Sequence, residues 1–250
     1  MPAPPGPLLP ILALDTSTET LAAGIHTGRD AFTASTPGGA LASAAALPHL
    51  QGLLKQAGLA WSDLRCIAFG SGPGAFTGLR TACAVAQGLG FGLALPLAPI
   101  DSLLIVAEDA RSQAGSQAGS QDQPFEIGIT LDARMDEAYA GVYRWQNGHW
   151  QVLQAPALMT LAALSQAWAG LRPQALAGSA LRAFGSRLQL PAAIRFEQEQ
   201  DRAAALTRLA LAAASAGQTV DAAQALPLYL RDKVAFTSAE RAAIKAGQQS

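Results

Sequence analysis

Apolar positions recur along this chain with two different periods. Ile11-Leu-Ala-Leu14 is an unbroken apolar run, the pattern of a strand covered on both faces, and it stops at Asp15-Thr-Ser-Thr18. Leu21–Ile25 and Ala31–Thr36 follow as strands around a turn at Gly28, giving an N-terminal β-meander. Over Ala42–Ala57 the spacing becomes helical, with Leu47, Leu50, Leu54 and Ala57 on one stripe and Pro48 in the first turn or at a kink. Arg65–Phe69 reads as a buried strand and Thr77–Gly92 as a helix. Leu97–Ile100 then reads as a strand and Ser102–Arg111 as a helix.

A second half starts afresh after Arg111-Ser-Gln-Ala-Gly-Ser-Gln-Ala-Gly-Ser-Gln-Asp-Gln-Pro124, a low-complexity stretch with nothing to bury, read as a mobile loop or linker. Phe125–Leu131 and Glu137–Tyr143 are strands around the polar turn Asp132-Ala-Arg-Met-Asp136. A hairpin turn falls at Asn147-Gly148, and helices at Leu161–Trp168 and Ala203–Ala216. Each half opens with strand–turn–strand and continues in strand–helix alternation, the second more weakly, as two duplicated α/β lobes would. The expected division is 8–110, a loop at 111–123, a degenerate second lobe at 124–226 with helix 203–216 packing back on the first, and a tail at 227–250.

Composition narrows the function classes. Half of the 250 residues are apolar and only 14% are charged, so a large core forms and part of the surface is available to be covered. A net charge of −1 argues against a broad nucleic-acid footprint. Cys66 and Cys83 read as buried free thiols rather than a disulfide framework. The start lacks a basic segment before Leu8–Leu14, and no apolar run is long enough to cross a bilayer, so the expectation is a soluble, cytoplasmic protein.

Two stretches carry candidate chemistry. Ser71-Gly-Pro-Gly-Ala-Phe-Thr-Gly78 leads from a strand into a helix, where glycines and free N–H groups suit an anion. It lacks the lysine of a Walker loop, and the plain alternative is a tight connection with Thr77 capping the helix. Asp15-Thr-Ser-Thr could hold Mg²⁺ and phosphates, or could be a hydrogen-bonded hairpin turn. Nucleotide-binding candidates are therefore Asp15, Thr16, Gly72, Gly74 and Thr77. Asp132, Arg134 and Asp136 form either a salt-bridged corner or part of a polar cleft. His26, His49 and His149 have no ligand spacing, and no hydrolase motif is present.

Several segments resemble the bacterial TsaB (YeaZ) family: Ile11–Thr18, Gly70-Ser-Gly-Pro-Gly-Ala-Phe-Thr-Gly-Leu-Arg80, Ala86–Leu89, Leu131–Glu137 and Pro227-Leu-Tyr-Leu-Arg231. The resemblance spans about residues 8–236. It implies an actin-like ATPase (ASKHA) fold with two lobes. It also implies a part in forming N6-threonylcarbamoyladenosine in tRNAs that read ANN codons. The family's partners would be TsaD, the paralogue that transfers the threonylcarbamoyl group, and the ATPase TsaE, with a homodimer when alone and tRNA reached only through the complex.

In the catalytic paralogue two histidines at i, i+4 follow the strand after the Gly-Pro-Gly helix and bind a metal. Here Ser102 and Val106 stand at those positions, and Val106 cannot ligate, so the resemblance implies a subunit without its own catalytic or metal site. Many members carry a histidine where this chain has Ala42, and the 113–121 stretch looks particular to this chain. The expected partner face is formed by helices 42–57 and 77–92 through Leu47, Leu50, Leu54, Val85 and Leu89. The competing reading is a stand-alone actin-like ATPase or kinase, with ATP–Mg²⁺, or residual ATP or ADP, held by Asp15 and the Gly72–Gly74 loop.

Overall fold

The computed structural model describes residues 8–115 and 124–231. Two five-stranded sheets organise the chain. The first has β1 (Ile11–Asp15), β2 (Thr20–His26), β3 (Ala31–Pro37), β4 (Cys66–Gly72) and β5 (Leu97–Asp101), ordered β3-β2-β1-β4-β5. The second has β6 (Phe125–Asp132), β7 (Glu137–Gln146), β8 (His149–Thr160), β9 (Ala175–Ala177) and β10 (Ile194–Phe196), ordered β10-β9-β6-β7-β8. Both are an antiparallel meander extended by two parallel strands on the other side of its first strand.

Helices fall at the same places in both halves. α1 (Ala42–Ala57), α2 (Phe76–Leu93) and α3 (Ser102–Ala114) follow β3, β4 and β5, while α4 (Leu161–Leu171), α5 (Ala180–Phe184) and α6 (Arg202–Ser215) follow β8, β9 and β10. This is the actin-like ATPase fold, one lobe per sheet. The second lobe keeps the full complement of elements. It looked degenerate in sequence because β9 and β10 have three residues each and α5 has five, too short to show a period.

The unbroken apolar run of β1 has a simple cause. Leu12 and Leu14 point into a core under α1 and α2, with Leu50, Leu53, Leu54, Phe69 and Cys83. Ile11 and Ala13 point the other way, into a core roofed by Ala205, Leu206, Leu209 and Ala210 of α6. The last helices are exchanged: α6 covers the first sheet, while Leu103, Val106 and Ala107 of α3 pack on Ile127 and Ile129 of the second. Glu108 of α3 ties the crossing together, accepting from Arg111 (2.8 Å), Trp150 Nε1 (3.0 Å) and Arg208 of α6. Asp101 caps α3 and accepts from the Tyr143 hydroxyl across the lobes; burial pushes its carboxyl pKa up against these hydrogen bonds.

Some local expectations need correction. Pro48 sits in the second turn of α1, and the helix continues through it to Ala57. α3 runs to Ala114, so the start of the low-complexity stretch is helical, while 116–123 and the tail beyond 231 lie outside the described residues. Asn147 and Gly148 both have positive φ (53° and 79°), the two-residue turn expected between β7 and β8. Cys66 and Cys83 are both buried and free, and burial lifts the Cys66 thiol to about 11.

Candidate functional site

The turn after β1 and the glycine-rich loop after β4 lie against each other. The Thr16 hydroxyl donates to the Gly78 carbonyl (2.6 Å) and Ala75 N–H to the Ser17 carbonyl (2.8 Å). Added Cβ atoms explain the glycines: at Gly70 one would collide with the Asp15 carboxylate, at Gly78 with the Thr16 carbonyl, and at Gly74 with Ser17 at 2.7 Å. At these positions the glycines admit the protein's own Asp15 side chain and the backbone of Thr16 and Ser17. Gly70→Ala is expected to cost roughly 1–3 kcal/mol by overpacking. A urea melt checks this, and an unchanged midpoint would show that the turn gives way freely.

Asp15 is fully buried. Its carboxylate accepts from Arg202 Nε (2.8 Å), from the Ser17 hydroxyl (2.9 Å) and backbone N–H (3.3 Å), and from the Ser102 hydroxyl (3.4 Å). Arg202 enters from the first turn of α6, donates also to the Ser17 hydroxyl (2.9 Å) and to Glu199 (2.6 Å), and is 5% exposed. Burial opposes its charge, but Asp15 and Glu199 outweigh that and hold its pKa above the ordinary guanidinium value.

Mg²⁺–ATP does not fit this arrangement. Asp15 Oδ2 is taken by Arg202 and Ser17, Arg202 already supplies the positive charge beside it, and the carboxylate does not line the cleft between the lobes. The reading of Asp15 as an available Mg²⁺ ligand is therefore corrected; Thr16 is buried, with its hydroxyl bonded to Gly78. Gly72, at φ 116°, lies under the Leu228 carbonyl, so it too faces protein. Thr77 does not cap α2: the N-cap is Ala75, without a side-chain bond, and Thr77 is exposed. Ser102 and Val106 are likewise engaged, Ser102 accepting from Gly72 N–H (3.1 Å) and Val106 in the core beneath the second sheet.

A cleft of about 790 Å³ does open between the lobes, above this sealed base. Glu19, Gly74 and Phe76 line it from the first lobe, Arg134, Arg182 and Ser179 from the second, and Tyr229 and Arg231 line it as well. Asp132, Arg134 and Asp136 prove to be both corner and cleft wall: Arg134 and Asp132 stand 4.0 Å apart, Asp136 pairs with Arg187 at 2.6 Å, and Asp132 and Arg134 line the cavity. Arg134, Met135 and Asp136 all have positive φ (66°, 57° and 56°), a run that costs roughly 1–2 kcal/mol per residue for side chains other than glycine.

The predicted partner face divides in two. Leu50 and Leu54 are 0% and 3% exposed and belong to the lobe core, so they are removed from it. Val85 and Leu89 are half-buried at its edge, and Leu47 is 50% exposed. The outward stripe of α1 and α2 instead carries Leu41 (67% exposed), Ala44, Leu47, Ala84, Gly88 and Phe91 (63%). Positions 84, 88 and 91 fall on one face of α2 by helical spacing. Each of the two helices has one formal charge, Lys55 and Arg80. Sequence spacing marked Leu50 and Leu54 because in a two-layer lobe the stronger apolar stripe is the core one. Arg202 and Arg231 were missed; a lone arginine opening the Ala/Leu helix at 203–216 was the available signal.

The comparisons agree with this architecture. A sequence profile of the family described as "TsaD: tRNA N6-adenosine threonylcarbamoyltransferase" matches residues 41–245. The tRNA threonylcarbamoyladenosine biosynthesis protein TsaB of Escherichia coli (strain K12) is 30% identical over 208 residues, 76% of this chain and 80% of that one. TsaB of Haemophilus influenzae is 34% identical over 131 residues, 52% of each chain. Among solved structures, YeaZ from Pseudomonas aeruginosa superposes with a TM-score of 0.75 at 34% identity, covering 88% of this chain and 99% of that one. A Pseudomonas aeruginosa protein described as similar to peptidase YeaZ gives 0.78 at 33%, covering 89% and 99%.

Proposed function

Given that the chain belongs to the TsaB/YeaZ family, we propose that it serves tRNA N6-threonylcarbamoyladenosine biosynthesis as a non-catalytic subunit. It pairs with the transferase TsaD through the outer face of α1 and α2, and TsaE joins the pair. Without TsaD the same face takes a second copy of this chain, and tRNA is reached only through the complex. The observation that carries this reading is that face. Leu41, Leu47 and Phe91 stand in solvent on two adjoining helices with one charge each, and Ala44, Ala84 and Gly88 let another helix come close. Leu41, Leu47, Ala84 and Phe91 are the proposed centre of contact, with Val85 and Leu89 at the seam.

The sealed base of the cleft supports a subunit over an ATPase. An intramolecular ion pair stands where a hydrated cation would have to bind, and the glycine-rich loop is packed by the first turn. Catalysis then rests with the partner. The test is genetic and chemical: deleting the gene should abolish the modified adenosine in bulk tRNA measured by mass spectrometry, and a plasmid copy should restore it. Unchanged modification in the deletion strain would refute the proposal.

A further inference from the structure

The segment Pro227-Leu-Tyr-Leu-Arg231 matched the family pattern but has no part in the account so far. It follows Ala225, whose carbonyl is held by Gln87 Nε2 of α2 (2.9 Å), and crosses from the first lobe to the second. On the first lobe, Leu228 N–H donates to the Ser71 carbonyl (2.7 Å) on the glycine-rich loop. Tyr229 lies against Phe76 with ring centres 5.0 Å apart, and its hydroxyl accepts from Arg80 Nε (3.2 Å). On the second lobe, Arg231 donates to the carbonyls of Ala133 (3.0 Å) and Arg134 (3.2 Å) and pairs with Glu137 (2.7 Å). Its NH1 also meets the Met135 sulfur at 3.0 Å.

The second-lobe end of this crossing is the run Arg134–Asp136, three consecutive side-chain-bearing residues with positive φ. Such a run does not hold itself: each residue sits in a well that only surrounding contacts keep populated. Within the turn, the Asp132 carboxylate accepts Arg134 N–H (2.8 Å). From outside it, Arg187 reaches Asp136 at the exposed surface, while Arg231, 12% exposed, takes two of the turn's carbonyls from beneath. We propose that Leu226–Arg231 is a latch along the interlobe cleft, with Arg231 as its catch on the 134–136 turn. The latch fixes the angle between lobes that are otherwise hinged at the crossing of α3 and α6.

The latch sets the two lobes relative to one another through contacts of the chain itself. It also ties that setting to α2, because the same segment is held by Gln87, Arg80 and Phe76 of that helix.

The test uses the full chain carrying spin labels at Gln51→Cys on α1 and Gln166→Cys on α4, both exposed, with the two native cysteines buried. Arg231→Ala should broaden the interlabel distance distribution and speed amide exchange across 133–137 by about tenfold or more, tenfold being the factor of a single charge-assisted bond, while β1 and β4 exchange as before. Arg187→Ala, which removes the other arginine on the turn, should change neither. Arg231→Lys should restore little, since an ammonium cannot span two carbonyls and a carboxylate in that geometry. An unchanged distance distribution in Arg231→Ala, with or without faster exchange at the turn, overturns the latch. Equal effects from Arg187→Ala overturn the role of Arg231 as its catch.

Discussion

Arg202→Met is expected to destabilise the protein by about 3–5 kcal/mol, the range found when one partner of a buried ion pair is removed. The cost comes from what stays behind. Asp15, with no exposed surface, keeps hydroxyl donors from Ser17 and Ser102 but loses the one positive charge on its carboxylate. Glu199 loses its partner too, but its side chain is 27% exposed and water replaces part of the loss. For a chain of this length the change corresponds to a drop of roughly 10 °C in the thermal midpoint.

Adding Asp15→Asn to Arg202→Met should recover a large part of that loss, because a neutral amide needs no counter-ion there. This non-additivity separates an electrostatic cause from lost packing. A loss of less than about 1 kcal/mol in Arg202→Met would mean that water reaches Asp15 and that the base of the cleft is not sealed.

The sealed base shows where sequence reading ends. Asp15 and the Gly70–Gly78 loop were legible as a pair of stretches that belong together, and the duplicated topology was legible from two strand–turn–strand openings. What they face depends on a residue 187 positions away in the chain, Arg202, and such long-range pairing leaves no local period. The glycines were ambiguous for a related reason. A residue chosen to let backbone come close does not announce whether the visitor is a ligand or, as at Gly78, the chain's own Thr16.

The exposed apolar residues of α1 and α2 were half legible. Helical spacing over 42–57 puts Leu47, Leu50 and Leu54 on one stripe, although Leu50 and Leu54 belong to the core and Leu47 does not. Leu47 shares their stripe by spacing and yet is 50% exposed, so burial along one stripe changes from the first turns of the helix to the later ones. Phe91 stands among Gly88, Gly90 and Gly92, residues that weaken a helix locally, yet α2 is intact through Leu93. Arg231 closes a motif whose meaning appears only once both lobes are in place.

The second large effect concerns the outer face of α1 and α2. Phe91→Arg and Ala84→Arg place a charge at the centre of the proposed contact, where it would be buried without a partner. Each should weaken pairing with TsaD by about a hundredfold or more, the scale of a central hot-spot residue. Both positions are exposed in the isolated chain, so the fold should be retained. Leu54→Glu is unsuited to the purpose: at 3% exposure it would disrupt the lobe core and lose the partner for an unrelated reason. Leu171→Arg, on an equally exposed leucine of the second lobe, serves as the control.

The most direct measurement is size-exclusion co-elution of TsaD with the wild-type chain, Phe91→Arg, Ala84→Arg and Leu171→Arg, each first shown by circular dichroism to be folded. The account predicts a stable complex with the wild type and with Leu171→Arg, and none with the two α2 variants. A complex that survives both α2 substitutions in folded protein would contradict it.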